Sequence, residues 1–105
     1  MPTDGWKSAP DSVRRAIKGN LPPTVQAVSV EYSQRAIEIH FYANATLPPD
    51  VIEELDADVV TQVIADYPNP DRGDPKVAFD VRLVDPTPNV IVAGELVFGT
   101  VPQAI

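Results

Sequence analysis

Two neighbouring stretches in the first half of the chain alternate between apolar and polar residues, at residues 25–32 and 36–43. This period of two is typical of β-strands with one buried face. The second stretch carries Ile37, Ile39 and Phe41 on one side and Glu38, His40 and Tyr42 on the other. Only the polar residues 33–35 separate the stretches, so the pattern predicts an antiparallel hairpin.

The longest helical pattern covers residues 47–67. Prolines at Pro48 and Pro49 precede it and Pro68 follows it, which are positions where proline favours a helix boundary. At about 100° per residue, the apolar residues form a single stripe. That stripe is Ile52, Leu55, Val59 and Val63. The sequence therefore predicts an amphipathic helix that covers one face of a sheet.

Shorter patterns complete the element order. Asp11 is a predicted N-cap for a short helix at residues 12–18, and Gly19 is placed to end it. After a loop at residues 69–75, residues 77–83 alternate as a third strand. A fourth extended segment is expected within residues 90–101, with a bend at Gly94. The order α-β-β-α-β-β predicts an α+β two-layer sandwich, with a mainly antiparallel four-stranded sheet packed against two helices.

Composition limits the chain to a single domain. A chain of 105 residues with 44% hydrophobic and 22% charged residues can bury one core despite its 12 prolines. We expect one domain over residues 1–105, with residues 1–9 as a flexible N-terminal segment. The sequence shows neither a secretory signal nor about 20 consecutive apolar residues, so a cytoplasmic protein without a membrane span is expected.

The residue inventory argues against an enzyme. The chain has no cysteine and one histidine, which excludes thiolate chemistry and leaves no second histidine for a metal site; we expect no catalytic residue, metal or cofactor. A row of Glu38, His40 and Tyr42 could support acid–base chemistry, although a lone strand histidine is more often an ordinary surface residue. The net charge of −7 opposes nucleic-acid binding, because that affinity comes from basic side chains.

Charge is unevenly distributed. Residues 48–69 contain six acidic residues and no lysine or arginine, whereas residues 14, 15 and 18 form a basic patch in the first helix. Acidic residues near a helix N-terminus also favour the helix dipole, so part of this pattern needs no partner. The candidate partner-binding residues, including the loop after the helix, are Asp50, Glu53, Glu54, Asp58, Asp66, Asp71 and Asp74. Asp56 lies at the edge of the apolar stripe, where it either pairs with the basic first helix or faces a partner.

Five segments, in order across most of the chain, carry a resemblance to a known family. They are residues 19–22 (GNLP), 27–30 (AVSV), 39–42 (IHFY), 63–68 (VIADYP) and 94–97 (GELV). With them the chain resembles small bacterial proteins that confer immunity to polymorphic and contact-dependent growth-inhibition toxins. The loop at residues 69–75 is longer than the family pattern, which leaves the register of the next strand open.

The resemblance implies an immunity protein that binds and neutralises a cognate toxin domain, often a basic nuclease, without catalytic residues of its own. A monomer or weak homodimer would suffice for that role. The alternative is a structural or oligomeric module that associates through its C-terminal strand, because exposed strand edges invite pairing.

Overall fold

The predicted hairpin forms the centre of the sheet. The structure, a computed structural model that describes residues 5–43, 45–83 and 94–99, has β1 at Val25–Tyr32 and β2 at Ala36–Ala43. The two strands are antiparallel. In the turn between them, the Ser33 N–H donates to the Ala36 carbonyl at 2.8 Å. The prediction of this hairpin is confirmed at both strands.

The outer strands pair on opposite sides of the hairpin. Strand β3, Lys76–Leu83, runs parallel to β2, and β4, Glu95–Gly99, runs antiparallel to β1. The sheet order is β3-β2-β1-β4. The predicted α+β fold with a mainly antiparallel sheet is confirmed, with one parallel pair. That pair arises because the helix between β2 and β3 crosses the sheet, as parallel neighbours require.

The helix between β2 and β3 has three consecutive parts. They are α2 (Pro49–Leu55), a π-helical turn (Asp56–Val60) and α3 (Thr61–Asp66), together called the second helix. The N–H of Thr61 donates to the carbonyl of Asp56, five residues earlier, which inserts one extra residue into the turn. No helix among the described residues is long and apolar enough to cross a membrane.

The π-helical turn changes which residues face the sheet. Leu55, Val59 and Val63 are buried as predicted, and Ile52 is half-buried. Because of the extra residue, Val60 is buried beside Val59. The predicted stripe is therefore present but widened at its middle.

The first helix begins earlier than predicted. A 3-10 turn at Gly5–Ser8 leads into α1 at Ala9–Ile17, three residues ahead of the predicted start. Asp11 is consequently not the N-cap; its carboxylate lies in the first turn and accepts a hydrogen bond from Arg14 at 3.0 Å. Pro10, whose fixed φ suits the first helical turn, and the fully buried Ala9 explain the earlier start. Gly19 follows the helix at φ 78°, as expected for a C-terminal glycine.

The core lies between the two helices and one face of the sheet. Its large members from the strands are Val28, Val30, Ile37, Ile39 and Phe41, and those from the helices are Val13, Ile17, Leu55, Val59, Val63 and the adjoining Tyr67. Phe79 of β3 packs against this cluster and meets Phe41 edge to face, with ring centroids 6.0 Å apart. Burial of this face packs both helices against the sheet, with the second helix in contact with β3 and with α1 in contact with β1 and β4.

One carboxylate joins the two helices. The buried Ser12 hydroxyl of α1 donates to Asp66 Oδ2, and the same oxygen accepts a hydrogen bond from Arg15 at 3.1 Å. Asp66 ends α3, so these bonds attach the end of the second helix to α1.

Strand β4 is held by a polar bridge and by two glycines. Glu95 accepts hydrogen bonds from Arg14 at 3.2 Å and from the Tyr32 hydroxyl at 3.1 Å. Gly94 and Gly99 both have positive φ, and a Cβ on either would lie within 2.2 Å of a carbonyl oxygen of β1. Only glycine therefore allows the backbone of β4 to approach β1 so closely at both ends.

Removal of the Asp66 carboxylate should destabilise the protein by about 1–3 kcal/mol, because the buried Ser12 hydroxyl would lose its acceptor. Asp66→Ala is compared with Asp56→Ala, which removes an exposed carboxylate from the same helix. We expect the control to change the free energy of unfolding by less than about 0.5 kcal/mol. Urea denaturation followed by circular dichroism measures both, and equal unfolding midpoints would contradict the assigned role.

The hydrogen bonds at Glu95 also predict that the Tyr32 phenol ionises at a higher pH than a free tyrosine. The hydrogen bond to Glu95, then burial and the Glu95 charge, raise the pKa of Tyr32 above 10.0, while Arg14 lowers it. Because folding raises the pKa of Tyr32, the protonated phenol stabilises the folded protein. This stabilisation is fully present below the pKa of Tyr32 in the unfolded chain and is lost as the pH rises through its pKa in the folded protein. Carbon NMR of labelled tyrosines should show Tyr32 ionising above pH 10, with assignment from Tyr32→Phe. Glu95→Gln should lower its pKa and Glu53→Gln should not; an unchanged titration in Glu95→Gln would refute the bridge.

Candidate partner-binding surface

The second helix exposes a row of carboxylates that make no side-chain contact within the described fold. All five are exposed, and within the described parts of the chain none of these carboxylates forms a hydrogen bond or ion pair. We call this row the acidic face: Asp50, Glu53, Glu54, Asp56 and Asp58. No basic residue occurs between residues 48 and 69 to neutralise it. The acidic face is therefore a surface of uncompensated negative charge.

The π-helical turn lies within this face and shapes it. Residues 56–58 are all exposed, between the buried Leu55 and Val59. Two side chains from α3 satisfy carbonyls of the turn: the Thr61 hydroxyl donates to the Asp56 carbonyl at 2.9 Å, and Gln62 Nε2 donates to the Asp58 carbonyl at 2.6 Å. The turn thus presents Asp56 and Asp58 to solvent with its backbone hydrogen bonds made.

A groove of about 260 Å³ lies beside the acidic face, between the second helix and the turn that follows α1. Its lining residues are Gly19, Asn20, Leu21, Pro22, Val51, Glu54, Leu55 and Asp58. Glu54 and Asp58 are exposed, whereas Leu21 and Val51 are half-buried and Leu55 is buried. We call it the acidic groove. It combines apolar surface with two carboxylates, which suits a lysine or arginine side chain with its aliphatic stem and cationic end.

The predicted site residues fall into three groups. Asp50, Glu53, Glu54 and Asp58 belong to the acidic face. Asp71 is exposed in the 3-10 turn Pro70–Arg72, and its carboxylate has no partner among the described residues. Asp66 and Asp74 make contacts within the chain: Asp66 joins the helices, and Asp74 accepts a hydrogen bond from the Asn69 N–H at 2.9 Å. The structure brings four of the seven predicted residues together on one face.

The carboxylate of the second helix that pairs with the basic first helix is Asp66 and not Asp56. Arg15 pairs with Asp66, and Arg14 pairs with Asp11 and Glu95. In the part of the chain that the structure describes, Asp56 has no such contact. Of the two alternatives left open for Asp56, the structure therefore does not contain the internal pair, and Asp56 joins the acidic face. Asp66 is nearer to α1 because it lies at the end of α3.

A second charged cluster occupies the sheet face away from the helices. His40, only 3% exposed, has Nδ1 at 2.6 Å from Asp80 Oδ1 and Nε2 at 2.8 Å from Glu31 Oε1. Glu38 is more distant, at 4.0 Å from Nε2. The predicted row along β2 is thus replaced by contacts to β1 and β3. The alternation of β3 places Asp80 on its polar side, but the sequence does not give the register of β3 against β2 that pairs Asp80 with His40.

The C-terminal strand borders an apolar cleft. Leu96 and Phe98 are exposed on β4, which lies at the edge of the described sheet. A cleft of about 470 Å³ contacts Phe98 and Val97 on one side and Ile17 and Leu21 on the other. Under the alternative hypothesis of a structural or oligomeric module, this surface would contact the second molecule.

Comparison with known proteins identifies the family. No curated protein matches the chain. The family model of the MafI2 immunity protein matches residues 8–98, which include every helix of at least six residues and nearly all of the four strands. The chain therefore belongs to the MafI2 immunity protein family.

Proposed function

We propose that this immunity protein neutralises its cognate toxin by direct, non-enzymatic binding through the acidic face and the acidic groove. The observation that supports this proposal most strongly is the group of exposed carboxylates without internal partners on one helix. Family membership supplies the role, and the distribution of charge suggests the surface.

The complementary partner is a basic toxin domain, and a nuclease is the class that fits best. A nuclease must attract phosphate groups with lysine and arginine side chains. An acidic face on an inhibitor can occupy the same basic surface and exclude the nucleic acid. We expect one lysine or arginine of the toxin to enter the acidic groove between Glu54 and Asp58, where a partly buried cation could act as an anchor.

This binding would take place in the cytoplasm, before the toxin reaches its substrate. It would require neither a cofactor nor a metal at the interface. Asp71, which is exposed on the loop after the second helix, could extend the contact, whereas Asp66 and Asp74 would support it through their contacts within the chain.

Neutralising the groove should weaken the complex. The double variant Glu54→Gln with Asp58→Asn is compared with Asp11→Asn and Glu38→Gln, which remove the same charge outside the acidic face. We expect the first to raise the Kd for the cognate toxin domain at least about tenfold, and the second to change it little. Wild-type affinity should also fall as salt rises, because exposed charges are screened. Equal affinity of both double variants in calorimetry would reject the acidic groove as the contact.

The exposed apolar residues of β4 favour a second candidate, self-association through this strand. Under the main proposal the isolated protein is a monomer or weak homodimer. Sedimentation equilibrium distinguishes the two: a stable dimer at low micromolar concentration, which Phe98→Asp converts to monomer while Ile64→Asp does not, would support the second. Ile64 is exposed to a similar extent, 43% against 42% for Phe98, and so provides a matched control.

A further inference from the structure

The geometry of the charged cluster around His40 calls for a positive charge on the imidazole or beside it. A neutral imidazole has one N–H donor and one lone pair, yet both ring nitrogens of His40 face carboxylate oxygens, at 2.6 Å and 2.8 Å. Arg82 donates to the second oxygen of Asp80 at 3.3 Å, so each oxygen of that carboxylate has a partner. Asp80 then accepts the proton of Nδ1. Nε2 then faces Glu31 Oε1, and either a second ring proton or a metal cation can lie between the two atoms.

A second observation comes from the pairing of the strands. Glu31 and Glu38 are direct partners across β1 and β2. Like charges directly opposite each other destabilise a sheet unless something neutralises them. Oxygen atoms of both carboxylates and a ring nitrogen of His40 lie within 4.8 Å of one another. The cluster therefore brings three potential metal-ligand atoms close together.

We propose that His40 Nε2 and the carboxylates of Glu31 and Glu38 form a binding site for a divalent transition metal, with Zn²⁺ as the best fit. Asp80 is the positioning residue that fixes the Nδ1–H form of the imidazole, as carboxylates commonly do for metal-bound histidines. Two carboxylates and one imidazole are suitable Zn²⁺ ligands, and the imidazole disfavours Mg²⁺ and Ca²⁺. The site is separate from the acidic face and does not depend on the proposed toxin contact.

The distances are compatible with a metal after small side-chain movements. Zn–N and Zn–O bonds of about 2.0–2.2 Å place tetrahedral ligand atoms roughly 3.4 Å apart. The separations from Nε2 are 2.8 Å to Glu31 and 4.0 Å to Glu38, which lie on either side of that value. Both glutamates are exposed and can adjust, whereas His40 is buried and fixed.

Charge and access also favour a divalent cation. Three carboxylates and one guanidinium surround the imidazole, which leaves two negative charges when the imidazole is neutral. Glu31 and Glu38 line a cleft of about 250 Å³ with Tyr32, Ser33 and Ala36. The two carboxylates are therefore accessible from solvent. Three protein ligands leave one tetrahedral position for water or for a donor atom from another molecule.

The test titrates chelator-treated, full-length protein with Zn²⁺ alone, in competition with a chromophoric chelator. We expect one Zn²⁺ per chain at micromolar concentration, a higher midpoint of thermal unfolding, and tetrahedral d–d absorption bands when Co²⁺ replaces Zn²⁺. Absence of saturable binding in the micromolar range would overturn the proposal.

Variants separate a metal site from a hydrogen-bonded network. Glu38→Gln should weaken Zn²⁺ binding at least about tenfold without affecting folding, because Glu38 is exposed and makes no short hydrogen bond to His40. Asp80→Asn should weaken binding by about 10- to 100-fold, as for other orienting carboxylates. Asp11→Asn, which removes a carboxylate in α1 that belongs to neither this cluster nor the acidic face, should bind Zn²⁺ like the wild type. Wild-type affinity in Glu38→Gln would show that His40 is held by protonation alone and would refute the site.

Discussion

Burial of one apolar face of the sheet beneath the second helix determines the arrangement of the rest of the molecule. The side chains of Ile39 and Phe41 on β2 and of Val59 and Val63 on the helix are fully buried in one cluster. Because the helix must cross this face between β2 and β3, β3 can only join the sheet parallel to β2. The same crossing brings the end of α3 to α1, where Asp66 meets Ser12 and Arg15.

The packed helix also defines what is left at the surface. With Leu55, Val59, Val60 and Val63 turned inward, the acidic residues between residues 50 and 58 are necessarily exposed. The π-helical turn increases this separation, since it buries two consecutive valines and exposes residues 56–58. On the other side of the sheet, the same alternation that buries Ile39 and Phe41 places His40 among polar residues of β1 and β3. Both charged surfaces are therefore consequences of one hydrophobic face.

Features set by local periodicity could be predicted from the sequence, and features set by distant contacts could not. The hairpin and the second helix follow from patterns within about 20 residues, and both were predicted at nearly the observed positions. The exposure of Glu53 and Glu54 follows from the same pattern. In contrast, the early start of α1 depends on burial of Ala9, and the role of Asp66 depends on α1, more than 50 residues away in sequence. The contact between His40 and Asp80 requires the register of a parallel pair that no local pattern encodes.

The energetic cost of the acidic face is what distinguishes it from an ordinary exposed helix surface. Asp50 and Glu54 are four residues apart in the α-helical turns of α2, and Glu54 and Asp58 both line the acidic groove. Like charges four residues apart destabilise an isolated helix by about 0.2–0.5 kcal/mol per pair, and no basic residue of the helix offsets the repulsion. Elsewhere in the fold, Asp66, Asp74 and Glu95 each have partners. A face that keeps mutually repelling carboxylates beside a groove is better suited to a cationic partner than to the stability of the free protein, because binding would remove the repulsion at the same time as it forms new contacts.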